Sequence, residues 1–447
     1  MLIAYIGGVA GIMSIGFLMF VYRGFHRETQ KIRVRNKAVV VHPMGQRGEL
    51  IRNCKKNLHL LFLVVMVSCV ARAQTSSSSG TAAAPAPAAP LSMPSMSGPL
   101  STASPTAFDA GRYFGQLQVT GILGGFGYVQ DNHNPSDHLK YADISNALVF
   151  VQKTTGLLQF FLQGGAYNLP ALGSPFLTTR ATVEDFFGAL PQGYIKLAPK
   201  GSFSYEAGKL PTLIGAEYTF TFENFNIERG LLWNQENAVN RGLQANYSKG
   251  KISASLAWSD GFYSNRYNWL TGMFTYTPSA ANAIEVVAGG NYGQTGYSSV
   301  ATPVYQNNSS IYNIIYTHTA KKWILQPYVQ ATFVPQNSAI GVGYKTGTVG
   351  GAILGTYTLT PKITLAARGE YIASTGTTSE GAVNLLYGTG SDAFSATVTP
   401  TFVDKAFFAR AEFSLVHAMS TTAGDVFGTS GTDTTQARGV LEAGFMF

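Results

Sequence analysis

Beyond residue 73 the chain holds no cysteine, for Cys54 and Cys69 are the only two in its 447 residues. That excludes a disulfide framework and a thiolate metal site from everything that follows. Charge is scarce as well, at 12% of residues. A formal net charge of +8 points toward nucleic acid only until it is mapped onto the chain. Eleven of the 31 Lys and Arg precede residue 74, opposed by Glu28 and Glu49 alone, and from residue 107 the net charge is −1. The basicity belongs to the N-terminal stretch, so no nucleic-acid partner is expected. From residue 107 there is also no helical periodicity of useful length and no long apolar run.

Two apolar segments stand before residue 74. Leu2 to Tyr22 is long enough to span a bilayer as a helix, and Arg23, Arg27, Lys31, Arg33, Arg35 and Lys37 follow it on what would be the cytoplasmic side. The second segment has the three parts of a secretory signal. Arg52, Lys55 and Lys56 are its basic region, Leu58 to Val70 its apolar region, and Ala71-Arg72-Ala73 its cleavage site. The preferred division takes 1–43 as upstream of a start at Met44 and 44–73 as a signal peptide, with a genuine N-terminal anchor as the rival. Residues 74–106 are Ser, Ala, Pro and Gly with no charge, which predicts an extended, disordered periplasmic spacer. The folded domain is then 107–447.

Within that domain, stretches of about ten residues alternate in polarity, as strands between lipid and water do. In Lys251–Trp258 one face carries Ile252, Ala254, Leu256 and Trp258, and the other Ser253 and Ser255. Leu158, Phe160 and Leu162 oppose Gln159, Phe161 and Gln163; Trp323, Leu325, Val329 and Phe333 oppose Gln326, Tyr328 and Gln330. The last strand, Arg438 to Phe447, sets Leu441, Ala443, Phe445 and Phe447 against Arg438, Val440, Glu442 and Met446. Short turn sequences recur at 153–156, 198–201, 248–251, 277–282, 318–322, 358–362 and 399–405. Between them lie long polar stretches near 131–142, 168–187, 211–240, 260–267, 294–308, 335–345, 374–390 and 418–436. Seven short turns and eight long loops predict sixteen antiparallel strands in an up-and-down barrel, with both termini periplasmic. Such a barrel has room for an aqueous channel. A soluble β-sandwich is disfavoured because the inward faces carry Gln, Ser, Thr, Arg and Glu instead of core residues. Tyr128, Tyr167, Tyr194, Trp258, Tyr276, Trp323 and Phe333 stand at strand ends, where a membrane-interface girdle would lie.

The third long loop is the most distinctive. It reads Gly208-Lys-Leu-Pro-Thr-Leu-Ile-Gly215-Ala-Glu217, then Phe222-Glu-Asn-Phe-Asn-Ile-Glu228-Arg229-Gly-Leu-Leu-Trp233, then Glu236-Asn-Ala-Val-Asn-Arg241-Gly242. The chain here resembles the OmpL-like β-barrel porins (porin family two) of Gram-negative bacteria. A chain ending in an alternating strand with a terminal aromatic is also similar to outer-membrane barrels in general. The resemblance implies a passive channel for small hydrophilic solutes, with the third loop folded into the lumen to narrow it. It also implies that the strand ending at Phe447 engages outer-membrane lipid and the barrel-assembly machinery.

The residues agree with that implication. Glu217, Glu223, Glu228, Arg229, Glu236 and Arg241 would place charge at a constriction. The polar strand faces offer Arg368 with Glu370, Arg410 with Glu412, and Arg438 with Glu442. Opposed charges in a narrow pore set ion preference. The plainer reading is that the strand pairs only stiffen the wall and the loop carboxylates are solvated. No catalytic constellation is present: there is no H-E-x-x-H and no Gly-x-Ser-x-Gly elbow, and Ser414 and His417 fall on opposite faces. His133 and His138, beside Asp131 and Asp137, fit a solvated loop better than a metal site. No cofactor is expected. Two rivals remain: a structural or adhesive barrel plugged by its own loops, and a barrel enzyme such as a lipase. Small outward residues (Gly121, Ala254, Ala411) would permit close packing in a homotrimer without requiring it.

Overall fold

The computed structural model describes residues 100, 106–134, 137–297 and 302–447. The segments 1–43 and 44–73, and all of the spacer except Leu100 and Thr106, lie outside the described residues.

A short strand β1 (Thr106–Asp109) and a single helical turn α1 (Gly111–Phe114) precede the wall. The wall is built of β2 (Gln116–Gln130), β3 (Lys140–Lys153), β4 (Leu158–Tyr167), β5 (Gln192–Leu197), β6 (Phe203–Pro211), β7 (Val239–Lys249), β8 (Ile252–Ser259) and β9 (Trp269–Ser279). It continues through β10 (Asn282–Asn291), β11 (Ser310–Thr319), β12 (Trp323–Val334), β13 (Thr346–Thr360), β14 (Ile363–Ser374), β15 (Asp392–Asp404), β16 (Phe407–Met419) and β17 (Thr435–Met446). Each strand pairs antiparallel with the next, and β17 pairs with β2 from Arg438↔Gln130 to Met446↔Ile122. The sheet therefore closes on itself as a sixteen-stranded barrel, with no open edge for aggregation. β1 pairs with the foot of β2 (Thr106↔Val119 to Asp109↔Gln116) on the edge that β17 occupies higher up.

Alternation is plainest in β12, β14, β15 and β17. In β17, Gln436, Arg438, Val440 and Glu442 are buried and Leu441, Ala443 and Phe445 are exposed. Outward positions such as Leu256, Trp323, Val329 and Phe413 are more than half exposed, as side chains that meet lipid must be. The seven short turns and eight long loops fall where the punctuation predicts. Strands run into six of the seven expected turns, furthest at 399–405. Residues 399–404 stay in β15, with Thr401–Asp404 opposite Phe407–Arg410, and only Lys405 and Ala406 connect. Lys405 takes φ +56°, so the reversal is tight despite the lack of glycine.

The aromatic girdle needs correcting. Tyr276, Trp323 and Phe333 do face outward. Tyr128, Tyr167 and Tyr194 point inward and are buried, because they occupy the same face as Gln130, Gln163 and Gln192. Tyr167 and Tyr194 join an internal cluster with Leu100, Ile122, Leu148, Phe150, Phe161 and Phe408, and Tyr128 packs in another with Phe126, Phe176, Ile227 and Val440.

Candidate functional site

Residues 212–238 connect β6 to β7 and form the longest loop between described strands. Apart from Trp233 and Asn234, every residue in it is buried. A loop so covered must satisfy its own peptide groups or borrow partners. It has little regular structure of its own, just two short turns of 3-10 helix at Thr221–Glu223 and Trp233–Gln235. In the first, Phe220 N–H donates to Glu223 Oε2 at 3.0 Å. Asn224 braces the approach, accepting from Tyr218 N–H at 2.7 Å and donating to the carbonyls of Tyr218 and Phe220.

The remaining partners come from inward-facing side chains of the barrel wall. Arg410 on β16 donates to three loop carbonyls, those of Thr221, Asn224 and Phe225, at 2.8–2.9 Å. Arg368 on β14 donates to the Glu228 carbonyl at 2.7 Å and to Glu217 Oε1 at 2.6 Å. Arg438 on β17 reaches Glu228 Oε1 at 2.8 Å. The carboxylates work in the opposite sense. Glu412 accepts from the N–H groups of Ile227 (2.6 Å) and Glu228 (3.0 Å), and Glu370 from those of Leu231 (3.1 Å) and Leu232 (3.4 Å). Glu442 accepts from Thr221 Oγ1 at 2.7 Å and from Arg410 at 3.3 Å. Hydrogen bonds with one charged partner are the stronger kind, contributing about 1.5–3 kcal/mol each.

Of the three Arg–Glu strand pairs expected, Arg368 and Glu370 meet, at 3.2 Å, whereas Arg410 pairs with Glu442 and Arg438 with Glu228. All three arginines also hold the loop. Neutral residues that the motif reading passed over complete the set. Asn146 on β3 donates to Thr221 (2.6 Å), Asn226 donates to Thr399 on β15 (2.7 Å), and Gln330 on β12 donates to the Leu232 carbonyl (2.8 Å). Asn146, Gln330 and Thr399 stand at the same alternating inward positions as the charges, the only signal the sequence carries for them.

Arg241 does not join this group. It lies on the Leu243 face of β7, paired with Asp260 at 2.8 Å and 3.9 Å from the centre of the Tyr263 ring. Glu223 is used within the loop. Arg229 and Glu236 are buried, yet none of the three Arg229 side-chain nitrogens and neither Glu236 oxygen has a hydrogen-bond partner among the described residues. The Arg229 guanidinium instead lies 4.9 Å from the Trp233 ring. Burial pushes the Glu223 carboxyl up to about 8, against Phe220 N–H and Arg229, which favour its charge. Burial also holds Glu236 well above the ordinary carboxylate range, with Glu217 and Glu370 adding to the effect. It lowers Arg229 to about 10 despite Glu217, Glu228 and Glu223.

A second polar surface went unnoticed in the sequence. The inward faces of β5 to β10 carry Lys196 and Glu206, paired at 3.1 Å, then Gln244, Asn246 and Ser255, then Thr275 with Glu285 at 3.1 Å. Most of these are only half-buried, unlike the positions facing the loop on β14 to β17.

A model of the OmpL-like beta-barrel porin-2 family matches residues 116–447, which covers the whole closed wall. The chain belongs to that family. It is an outer-membrane porin. A comparison with curated proteins returns no match. By fold the porin is similar to outer-membrane expressed OmpT of Vibrio cholerae, with 12% identity, 75% of this chain and 99% of that one covered, and a TM-score of 0.51. It is also similar to a trimer form of in-vitro folded OmpT from the same organism (12% identity, 74% and 99% covered, TM-score 0.50). The outer membrane channel DcaP of Acinetobacter baumannii gives 10% identity, 74% and 97% covered, and a TM-score of 0.50. At such identities the likeness shows the fold alone.

Proposed function

We propose that this porin is a passive diffusion channel for small hydrophilic solutes or ions. It has no catalytic role and draws on no energy source. Its termini lie on the periplasmic side, where the seven short turns also lie, and its third loop reaches into the bore. The observation that carries the reading is the seating of that loop: from the inward face of the wall, strand residues Arg368, Glu370, Arg410 and Glu412 bind its peptide groups, and Arg438 and Glu442 bind its Glu228 and Thr221 side chains. On this reading those six position the constriction. Arg229 and Glu236, whose polar atoms have no protein hydrogen-bond partner among the described residues, are the charges left to act on a passing solute.

The terminal strand ending at Phe447 engages lipid and the assembly machinery. A homotrimer suits the fold, since the OmpT comparison includes a trimer form. The deep burial of the loop would equally suit a barrel that is permanently plugged. Conductance in a planar bilayer separates the two. Discrete ohmic steps, with a reversal potential moved by Glu236→Gln or Arg229→Gln, support the channel. A folded barrel that passes no current in any variant sinks it.

A further inference from the structure

The third loop does not merely project from one side of the wall. It touches inward-facing residues almost all the way round. Phe222 packs edge-on to Phe150 of β3 at 5.7 Å, and Phe220 edge-on to Tyr167 of β4 at 5.3 Å. Ile214 clusters with Trp269 of β9, Val287 of β10 and Ile311 of β11. Gly215 N–H donates to Asn313 of β11 at 3.3 Å, and Leu232 C=O accepts from Gln330 of β12. β14, β15, β16 and β17 hold the loop through the contacts described above. Twenty-five of its 27 residues are buried, which a loop facing open water on one side cannot be.

We propose that this conformation is the closed state of the channel. The third loop is its gate, and the clamp of Arg368, Arg410 and Arg438 with Glu370 and Glu412 is the latch. The inference rests on the porin reading. The latch has a physical logic of its own. Arg410, Glu370 and Glu412 bind loop peptide groups, Arg368 binds a loop carbonyl as well as Glu217, and Arg438 binds the Glu228 carboxylate, so most of the latch holds the loop by its path. Releasing the loop exposes all five charges to the lumen at once, where water can solvate them. A buried charge-assisted contact is strong while dry and weak once wetted, so the closed and open arrangements are two alternatives with little between them. Opening would also join the half-exposed polar surface of β5 to β10, with Lys196, Glu206 and Glu285, to the rest of the bore.

Two variants of the whole chain, isolated from outer membranes, test this in planar bilayers. Arg410→Gln removes the donor to three loop carbonyls, and the open fraction should rise by at least about ten-fold, the effect of losing even one such contact from the closed state. The double variant Asn226→Cys with Thr399→Cys replaces a 2.7 Å contact between loop and β15 with two thiols. Bridging them with a short bis-methanethiosulfonate should abolish openings, and reductant should restore them. Retained heat-modifiable migration on gels confirms that each barrel is folded. Steady current that neither the bridge nor Arg410→Gln alters would overturn the gate and leave the porin reading standing. No current from any variant, with or without reductant, would overturn both.

Discussion

The ring of Phe447 lies directly over Gly121, and the two residues exchange backbone hydrogen bonds of 2.7 and 3.0 Å. This contact extends the β17–β2 seam by one residue and covers bare backbone with an aromatic ring. A Cβ at position 121 would run into that ring. Gly121→Ala should therefore destabilise the closed barrel by about 1–3 kcal/mol, the usual cost of overpacking. The midpoint of unfolding in urea, followed by the shift between folded and unfolded bands on a gel, measures it. An unchanged midpoint would mean that the ring simply swings away into lipid.

Arg368 illustrates a different cost. Its side chain is fully buried and ion-paired with Glu217 at 2.6 Å and Glu370 at 3.2 Å. Arg368→Met leaves two buried carboxylates without their cation, and removing one partner of a buried pair costs about 3–5 kcal/mol. Arg180→Met, which breaks the exposed helical pair with Glu184, should leave stability where it was. Equal effects of the two substitutions on the urea midpoint would contradict the burial of the Arg368 cluster.

Glu223 gives the loop a pH dependence of definite sign. A carboxyl near 4.3 when unfolded and about 8 in the packed loop binds its proton more tightly in the packed state. Packing is thus fully stabilised below the lower value and weakens as pH rises through about 8. The open fraction should climb from about pH 5 to about pH 8 and level off above it, and Glu223→Gln should flatten that climb. Arg229, lowered only to about 10, remains charged across this window. A climb that persists in Glu223→Gln would assign the titration to another group, with Glu236 the next to replace.

How much of this could be read from the sequence follows from how each signal is written. Alternation at period two is set by the pleat alone, so the faces of Leu256, Trp323 and Arg438 follow from their neighbours. Gly, Pro, Asn and Lys punctuate the turns, so strand number follows as well. Strand ends are set by pairing across the sheet, which explains why Thr399 to Asp404 read as turn and fold as strand. Face, not residue type, decides whether an aromatic joins the girdle, and Tyr128, Tyr167 and Tyr194 share their faces with buried glutamines. The partners in the loop clamp lie far apart along the chain: Thr221 meets Glu442 and Arg410, and Glu228 meets Arg438. No local pattern could show that these residues meet. Arg241 was grouped with the loop because it follows closely in sequence, but it already belongs to β7, where alternation turns it outward.

Gly215 separates the loop from the wall most cleanly. Its φ is +81°, a region that favours glycine, and a Cβ there would collide with the Glu236 carboxylate. Neither residue belongs to a strand, so Gly215→Ala should leave barrel assembly and heat-modifiable migration intact. The loop itself must shift, because two buried groups cannot occupy one place. Single-channel recordings of Gly215→Ala should accordingly show a changed conductance or open fraction with no loss of folded barrel. If conductance and gating both match the wild type, the stretch from Gly215 to Glu236 does not control the bore, and the search for the constriction moves to the half-exposed residues of β5 to β10.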